Sequence, residues 1–181
     1  SSLALYIHWP FCKIKCPYCD FNSYKKESTN QSHWLKAYLR ALELWSSRLA
    51  GRRIKSIFFG GGTPSLLNPD FVGMLLQKID SLWSINGNCE ITIEANPNSV
   101  SERKFKLFRE VGINRVSVGV QALNNRDLSN LGRDHNKNQA IEAIEVINTW
   151  FKNYNLDFIY GRQHQSAIEW RDELLQILSL K

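Results

Sequence analysis

Three of the four cysteines in this sequence lie close together, at Cys12, Cys16 and Cys19. Their spacing places three thiolates in one short loop, an arrangement that can wrap one corner of a cubane iron–sulfur cluster. Such clusters usually take four cysteine ligands, so a loop with three predicts that an exchangeable ligand occupies the remaining iron. The sequence therefore indicates a 4Fe-4S cluster with one open coordination position.

Two other chemistries use clustered cysteines, namely a structural zinc site and a disulfide pair. Zinc requires four ligands, and His8 is the one further candidate near the loop. The fourth cysteine, Cys89, lies alone in an apolar run, which suits a metal site better than a disulfide framework. The spacing favours the cluster over both alternatives and predicts a reducing compartment.

Two further segments are candidate ligand contacts. Three glycines, residues 60–62, follow a predicted strand and precede Thr63. Successive glycines let a backbone approach a ligand closely, although the same run can form a plain tight turn. Glu94 ends another predicted strand, where its carboxylate could accept hydrogen bonds from ribose hydroxyls or could be an ordinary solvated charge.

The elements that must position these residues follow one repeated pattern, in which strand-like apolar runs alternate with segments of helical period. The predicted strands cover residues 3–8, 54–59, 91–95, 116–120 and 156–160. The predicted helices cover residues 34–49, 71–83, 99–111, 139–151 and 170–180. Five βα units in tandem predict an α/β fold with parallel strands, in a partial barrel or an open sheet, and helices outside. Functional loops of such sheets lie at the carboxyl ends of the strands, where the cysteines, the glycines and Glu94 all fall.

Several local signals support the helix boundaries. Asn68 and Pro69 are placed to cap and begin the second helix. Ser99 and Glu102 have the spacing of a capping box for the third helix, and Gly112 is predicted to end it. One apolar face of the first helix contains Trp34, Leu35, Tyr38, Leu42, Trp45 and Leu49. The side chains of the fourth helix that are predicted to point inward are Ile141, Ile144 and Ile147.

The composition is typical of a globular protein. The chain has 181 residues, 43% hydrophobic and 22% charged, which predicts one domain spanning residues 1–181. The 23 Lys and Arg are interspersed with 17 Asp and Glu, so the net charge of +6 does not indicate a broad nucleic-acid-binding face. The longest apolar stretches are strand-sized, far short of the roughly 20 residues of a membrane helix. We therefore expect a soluble, cytoplasmic protein without a transmembrane segment.

A resemblance to a known family begins at Tyr6. The sequence around the cysteines, YIHWPFCKIKCPYCDF (residues 6–21), is similar to the signature of the oxygen-independent coproporphyrinogen III oxidase family of radical-SAM proteins. The similarity extends to about Gly161, with several motifs in the same order. The true oxidases carry a fourth cysteine two residues after the third. This sequence has Phe21 there, as does the HemW-type heme-chaperone branch of the family.

The resemblance implies a role for each chemistry-bearing residue. Cys12, Cys16 and Cys19 would bind the cluster, and S-adenosylmethionine (SAM) would chelate the open iron through its amino and carboxylate groups. Contacts to SAM, or to a second SAM-like ligand, are expected from Tyr6, Tyr18, Gly61, Gly62, Thr63, Glu94, Gln121, Arg133 and Asp157. For Asp157, the alternative is a buried aspartate held by backbone amides. His8 is the candidate catalytic residue, near enough to the cysteines to contact a substrate or heme.

The function implied by the resemblance is that of a HemW-type heme chaperone in porphyrin and heme metabolism, which binds heme for transfer to an acceptor protein. One alternative is the oxidation of coproporphyrinogen III by a radical-SAM dehydrogenase, in which the cofactors supply the chemistry. A weaker alternative is radical-SAM modification of RNA, which only the pI of about 9.2 suggests.

The sequence departs from the family pattern in two places. After Gly161 the family usually continues with an apolar residue, a proline and a small residue before glutamine, whereas this chain has Arg162, Gln163 and His164 before Gln165. The family barrel also has six βα units and a separate C-terminal domain, whereas five units are predicted here. We therefore expect an incomplete radical-SAM core domain without the C-terminal domain of the family.

Overall fold

The computed structural model describes residues 2–180, which form seven strands and six α-helices. The strands are β1 (Ser2–Trp9), β2 (Phe11–Cys12), β3 (Tyr24–Lys25), β4 (Arg53–Gly61), β5 (Ile85–Ala95), β6 (Arg115–Gln121) and β7 (Tyr154–Phe158). The helices are α1 (Gln31–Arg48), α2 (Pro69–Trp83), α3 (Glu102–Glu110), α4 (Asn125–Asn130), α5 (Lys137–Trp150) and α6 (Ala167–Ser179). Short 3-10 helices lie at Pro64–Leu66 and Pro97–Ser99.

Five strands form one parallel sheet in the order β1-β4-β5-β6-β7, which is also their order along the chain. The predicted α/β class and parallel arrangement are confirmed. Because crossovers between parallel strands are right-handed, a sheet in chain order carries its connecting helices on one face. The strands end together: Trp9 pairs with Gly61, and Ala95 pairs with Val118. The strands β2 and β3 form a separate two-residue pair around the cysteine loop.

The helix ends follow the local signals, with one exception. The Asn68 side chain accepts a hydrogen bond from the Asp70 N–H and caps α2 as predicted. Gly112, with φ +118°, directly follows Val111, the C-cap residue of α3, also as predicted. The predicted capping role of Ser99 for α3 is wrong, because Ser99 closes the preceding 3-10 turn with Asn96. The residue directly before α3 is Ser101.

The predicted inward faces of α1 and α5 are mostly correct. Trp34, Leu35, Tyr38, Leu42 and Leu49 pack on the core. Trp45 does not pack on the core and is 51% exposed. The Arg48 guanidinium stacks over the Trp45 ring, 5.5 Å from the ring centre. On α5 the side chains of Ile144 and Ile147 are buried, whereas Ile141 is half-buried.

The core lies between the sheet and its helices. Its largest fully buried side chains are Trp9, Phe59, Phe105, Phe108, Phe151, Ile54, Ile57, Leu67, Leu75, Ile79, Ile93 and Ile113. The isolated Cys89 belongs to this core, where burial raises the pKa of its thiol. Among residues 2–180, no helix is both long and apolar enough to cross a membrane.

Truncating a buried aromatic side chain of α3 should be far more costly than truncating an exposed apolar one on the same helix. Phe105 is 0% exposed and contacts Phe108 and Phe151 edge-on, whereas Leu107 is 39% exposed. Phe105→Ala should lower the free energy of unfolding by about 3–5 kcal/mol, because it leaves a cavity. Leu107→Ala should lower it by less than about 1 kcal/mol. Urea denaturation measures both, and equal losses would contradict this description of the core.

Candidate functional site

A cleft opens at the carboxyl ends of the sheet strands, where the sequence predicted the functional loops. Most of the predicted site residues meet there: its wall includes Cys12, Cys16, Tyr18, Cys19, Gly61, Gly62, Thr63, Glu94, Gln121, Arg133 and Asp157. Lys15 and Phe21, which flank the cysteines, also line the wall. The remaining wall residues were not predicted as site residues: Ile14, Ala95, Asn96, Ser117 and Gly119. The cleft is therefore built by loops that are far apart in the chain.

The cysteine loop forms one side of the cleft. Cys12 lies in β2, and the Cys19 N–H donates to the Cys16 carbonyl in a tight turn. The Lys15 ammonium donates to the carbonyls of Phe21 at 3.2 Å and Ser23 at 2.9 Å, which closes the loop. All three thiols are free of disulfides. The loop thus presents three potential thiolate ligands with a lysine side chain beside them.

The three thiols do not converge on a single point. Among residues 2–180, no group of three His, Cys, Asp or Glu side chains lies close enough together to hold one metal ion. A single zinc ion requires such convergence, because all of its ligands bind the same centre. The cysteines of a 4Fe-4S cluster each bind a different iron, so they are spread around the cluster. Cys12, Cys16 and Cys19 line the cleft as three separate free thiols.

The glycine segment forms the floor beside the cysteines. The Gly62 N–H donates to the Trp9 carbonyl at 2.6 Å, and the Thr63 N–H donates to the Phe11 carbonyl at 2.9 Å. A Cβ atom added at Gly62 would lie 2.6 Å from the Phe11 carbonyl oxygen, so no side chain fits there. Gly61 has φ +112°, in the left-handed region that favours glycine. The glycines thus allow the backbone of β4 to lie directly against the backbone of residues 9–11, which a plain tight turn would not require.

Glu94, at the end of β5, lies in direct contact with the glycine segment at the end of the neighbouring strand β4. Its Oε2 atom accepts a hydrogen bond from the Gly61 N–H at 3.1 Å. Burial raises the pKa of the Glu94 carboxyl to about 7, with a smaller contribution from the charge of Asp157, while the Gly61 hydrogen bond opposes the shift. The alternative of an ordinary solvated charge does not describe this residue. Near neutral pH, Glu94 is poised to act either as a hydrogen-bond donor or as an acceptor.

Arg133 joins four parts of the cleft wall. Its Nη1 atom donates to the Cys16 sulfur at 3.4 Å and to the Tyr18 hydroxyl at 3.3 Å. Its Nη2 atom donates to Asn96 Oδ1 at 2.8 Å and to the Gly119 carbonyl at 2.9 Å. The Arg133 Nε atom is buried and has no hydrogen-bond partner within residues 2–180. A guanidinium in this position brings positive charge to the thiol loop and retains a free donor.

Asn96 is the clearest residue that the sequence analysis missed. Its Nδ2 atom donates to the Thr63 hydroxyl at 3.2 Å, while its Oδ1 atom accepts from Arg133. It therefore connects the glycine segment to the guanidinium. Its place directly after β5, two residues beyond Glu94, was the available signal, because strand-end residues of parallel sheets face the ligand side.

Gln121 and Asp157 lie on the far wall of the cleft. The exposed Asp157 carboxylate accepts from Ser117 Oγ at 3.0 Å and from Asn155 Nδ2 at 2.7 Å. The alternative of a buried aspartate held by backbone amides is therefore wrong. Gln121 ends β6 with φ +72°, a conformation that a residue other than glycine seldom adopts.

Tyr6 and His8 lie beside the cleft and do not form part of its wall. The Tyr6 hydroxyl donates to His8 Nδ1 at 3.1 Å, and His8 Nε2 donates to the Asn22 carbonyl at 2.8 Å, which assigns the proton to Nε2. Both imidazole nitrogens are thus occupied. In this conformation His8 ties β1 to the end of the cysteine loop and packs against Gly61, and neither nitrogen is free for a ligand.

Comparison with known proteins identifies the family. The sequence profile of the Radical SAM superfamily matches residues 6–175 of this chain. The chain belongs to the radical SAM superfamily. Membership implies a 4Fe-4S cluster and SAM, and the donors in the cleft fit both. The fit rests on three free thiols, a close-approach glycine backbone, a carboxyl group and a guanidinium with an unpaired donor.

Among radical SAM proteins, the similar sequences include heme chaperones. The chain is 39% identical to heme chaperone HemW of Haemophilus influenzae, over 98% of this chain and 48% of the relative. It is 42% identical to heme chaperone HemW of Buchnera aphidicola subsp. Schizaphis graminum, over 97% of this chain and 46% of the relative. The chain therefore spans about half the length of these relatives.

A solved structure supports the same family. Coproporphyrinogen III oxidase (HemN) from Escherichia coli, a radical SAM enzyme, superposes with a TM-score of 0.84 at 29% sequence identity. The alignment covers 99% of this chain and 42% of that chain. The predicted radical-SAM type of α/β fold, with a partial barrel of parallel strands, is thus confirmed.

Replacing Glu94 with glutamine should reduce the pH dependence of stability. Because burial raises the pKa of Glu94 from 4.5 to about 7, the folded protein keeps a proton that the unfolded chain loses. This difference destabilises the wild-type fold progressively as the pH rises from about 4.5 to 7. Glutamine can still accept the Gly61 N–H, so Glu94→Gln should be more stable than wild type at pH 8, by up to about 3 kcal/mol.

Urea denaturation at pH 4 and pH 8 measures this effect. The two proteins should have nearly equal stability at pH 4, where the carboxyl is protonated in the folded state and mostly protonated in the unfolded state. The exposed Glu142 provides a matched control, and Glu142→Gln should leave the pH dependence unchanged. A wild type that is more stable than Glu94→Gln at pH 8 would refute the assignment.

Proposed function

We propose that this chain is the cofactor-binding part of a heme chaperone, in which a 4Fe-4S cluster with SAM at its open iron lies in the cleft. The observation that carries the proposal is the position of Phe21. Phe21 lines the cleft two residues after Cys19, where the resemblance implies a fourth cysteine in the oxidases. The similar sequences named as heme chaperones support the same function.

The proposed roles of the protein groups follow from their positions. Cys12, Cys16 and Cys19 bind three irons, and the Arg133 guanidinium and the Lys15 ammonium offset the thiolate charge. When bound, the cluster and SAM supply the redox chemistry typical of the superfamily. The protein binds, orients and shields these groups.

The remaining contacts are proposed for SAM. The backbone of Gly61, Gly62 and Thr63 would receive its methionine portion, and the Glu94 carboxyl would hold the ribose hydroxyls. Gln121, Arg133 and Asp157 would complete the opposite wall, with Tyr18 beside the cluster. For Tyr6 and His8, direct contact would require the Tyr6–His8 pair to separate, so we propose that both support the cysteine loop.

Heme would bind where the cysteine loop exposes apolar surface. Ile14, Tyr18 and Phe21 are all exposed large apolar side chains, and all three lie at the mouth of the cleft. A planar macrocycle with apolar faces is suited to such a surface, because its burial removes apolar area from water. In this proposal the protein delivers its heme to an acceptor protein and is located in the cytoplasm.

The second candidate function is oxidation of coproporphyrinogen III. The structural similarity to HemN, with a TM-score of 0.84, favours it. Both functions use the same cofactor site, so they differ in what occupies the mouth of the cleft. Consumption of coproporphyrinogen III by the reconstituted protein would favour the oxidase and would overturn the chaperone proposal.

Cluster binding should depend on each cysteine of the loop. After anaerobic reconstitution with iron and sulfide, Cys12→Ser, Cys16→Ser and Cys19→Ser should each abolish the visible charge-transfer absorbance of the cluster, because a hydroxyl is a poor ligand for cluster iron. Iron and sulfide content should fall in parallel with the absorbance.

The buried Cys89 is the matched control for these variants. It lies in the core and outside the cleft wall, so Cys89→Ser should retain the full absorbance. If Cys89 proved necessary for the cluster, both the open iron and SAM as its ligand would be wrong.

Heme binding should depend on Phe21. Hemin titrated into the anaerobically reconstituted protein should bind saturably, with a shift of its main absorption band. Phe21→Ala should weaken that binding about tenfold, the loss expected when a large exposed aromatic contact is removed from an interface. Tyr24→Ala is the control, because Tyr24 is as exposed as Phe21 but lies outside the cleft wall. Equal affinities for wild type and Phe21→Ala would place heme elsewhere.

A further inference from the structure

Arg162 is a buried arginine at the position where the sequence departs from the family pattern. Its guanidinium lies between Asp127 of α4 and Glu173 of α6. The Nε atom donates to Asp127 Oδ2 at 2.8 Å, and the Nη2 atom donates to Glu173 Oε2 at 2.5 Å. All three side chains are almost completely buried. Because a charge is rarely buried without a partner, the two carboxylates explain how the arginine is accommodated.

The remaining nitrogen of Arg162 contacts the backbone at the end of β6. Its Nη1 atom donates to the carbonyl of Gln121 at 3.2 Å and to the carbonyl of Ile159 at 2.5 Å. The Gln121 carbonyl also accepts the Ile159 N–H at 3.0 Å. The guanidinium therefore joins the end of β6 to the segment that follows β7.

Gln121, whose carbonyl Arg162 holds, has an unfavourable backbone conformation. Gln121 has φ +72°, and the pairing of β6 with β7 shifts register between Gly119 and Gln121. A left-handed residue other than glycine persists only where its surroundings fix it. The reason to fix it lies in the side chain, since Gln121 lines the same cleft as the three cysteines.

Glu173 fixes the other end of this turn. Its Oε1 atom accepts the Leu123 N–H at 2.7 Å, while its Oε2 atom accepts from Arg162. The turn at residues 121–123 is thus held at both ends by buried, charge-assisted hydrogen bonds, which are stronger than neutral ones.

We infer that Arg162, fixed by Asp127 and Glu173, is a positioning residue that holds the Gln121 turn so that the Gln121 side chain faces the cleft. An arginine is required because its planar fork reaches two carboxylates and two carbonyls at once, which a single ammonium group does not. In taking SAM as the ligand that Gln121 contacts, the inference rests on the proposed function. The geometry of the turn does not depend on that choice.

A double-mutant cycle on the reconstituted protein tests this role, with SAM as the titrated ligand. Arg162→Lys keeps the charge but loses the fork, and it should weaken SAM binding about tenfold, as does the loss of one well-made hydrogen bond. Gln121→Ala should weaken binding by a similar factor, and the double variant should bind no more weakly than Gln121→Ala, because both changes remove the same contact. Cluster absorbance should be unchanged in all three. Additive losses, or wild-type affinity in Arg162→Lys, would overturn the inference.

Arg126→Lys is the matched control. Arg126 also contacts Asp127, at 2.9 Å, but it is exposed and makes no hydrogen bond to Gln121 among residues 2–180. It should bind SAM like wild type. If Arg162→Lys did not fold, Glu173→Gln, which keeps an acceptor for the Leu123 N–H and weakens the hold on Arg162, should show a smaller loss of the same kind.

A second measurement needs no ligand. Amide hydrogen exchange at Leu123 and Ile159 should be about tenfold faster in Arg162→Lys than in wild type, and unchanged in Arg126→Lys, because local opening follows the loss of the hydrogen bonds that hold the turn. Unchanged protection in Arg162→Lys would overturn the positioning role. If the wild type failed to bind SAM, the proposed function would fall, and hydrogen exchange would still decide the role of Arg162.

Discussion

The rest of the site depends on one backbone contact. In it, the glycine segment at the end of β4 meets the carbonyls of Trp9 and Phe11, at the start of the cysteine loop. The Gly62 and Thr63 amides donate to Trp9 and Phe11, which extends the parallel pairing of β1 and β4 beyond the ends of the strands. This contact places Cys12 beside the bare glycine backbone. A side chain at Gly62 would collide with the Phe11 carbonyl, so the loop and the floor of the cleft are positioned by one backbone approach that only glycine permits.

The electrostatics of the cleft follow from this arrangement. Cys12, Cys16 and Cys19 gather with Glu94 and Asp157 at one end of the sheet. As cluster ligands the cysteines would be thiolates, and their repulsion with the carboxylates would be costly without positive charge nearby. Arg133 and Lys15 supply it through hydrogen bonds that also fix the loop. The wall shelters the Glu94 carboxyl from water, and this partial desolvation raises its pKa.

Much of this architecture could be predicted from the sequence, because periodicity and chain order constrain a parallel sheet. Five βα units imply that the strand ends meet, so eleven of the thirteen predicted site residues converge in the cleft wall. The two that do not are Tyr6 and His8. They lie within β1, before its carboxyl end, and their side chains form a hydrogen bond with each other. Sequence distance from a cysteine does not reveal which way a strand residue points.

The errors share a cause in tertiary context. Ser99 has the spacing of a helix cap, but it is the last residue of the 3-10 helix that begins at Pro97. Its side chain bonds to Asn96 there and does not cap α3. Trp45 fits the helical period of α1 but lies beyond the edge of the surface that the helix covers. The short α4 was missed because six residues carry too little periodicity. Arg162 marked an altered turn in the sequence, and only the fold shows that two carboxylates from other helices receive it.

The order of the sheet also has a consequence for how the chain is made. Every strand of the main sheet pairs with strands adjacent to it along the chain, so each pairing can form as soon as the next βα unit leaves the ribosome. The contact from Arg133 to Cys16 is the opposite case, since it spans 117 residues. Three further strands of the sheet, β4, β5 and β6, are therefore synthesised after the cysteine loop and before Arg133, so this side of the cleft wall can close only after β6 has been made.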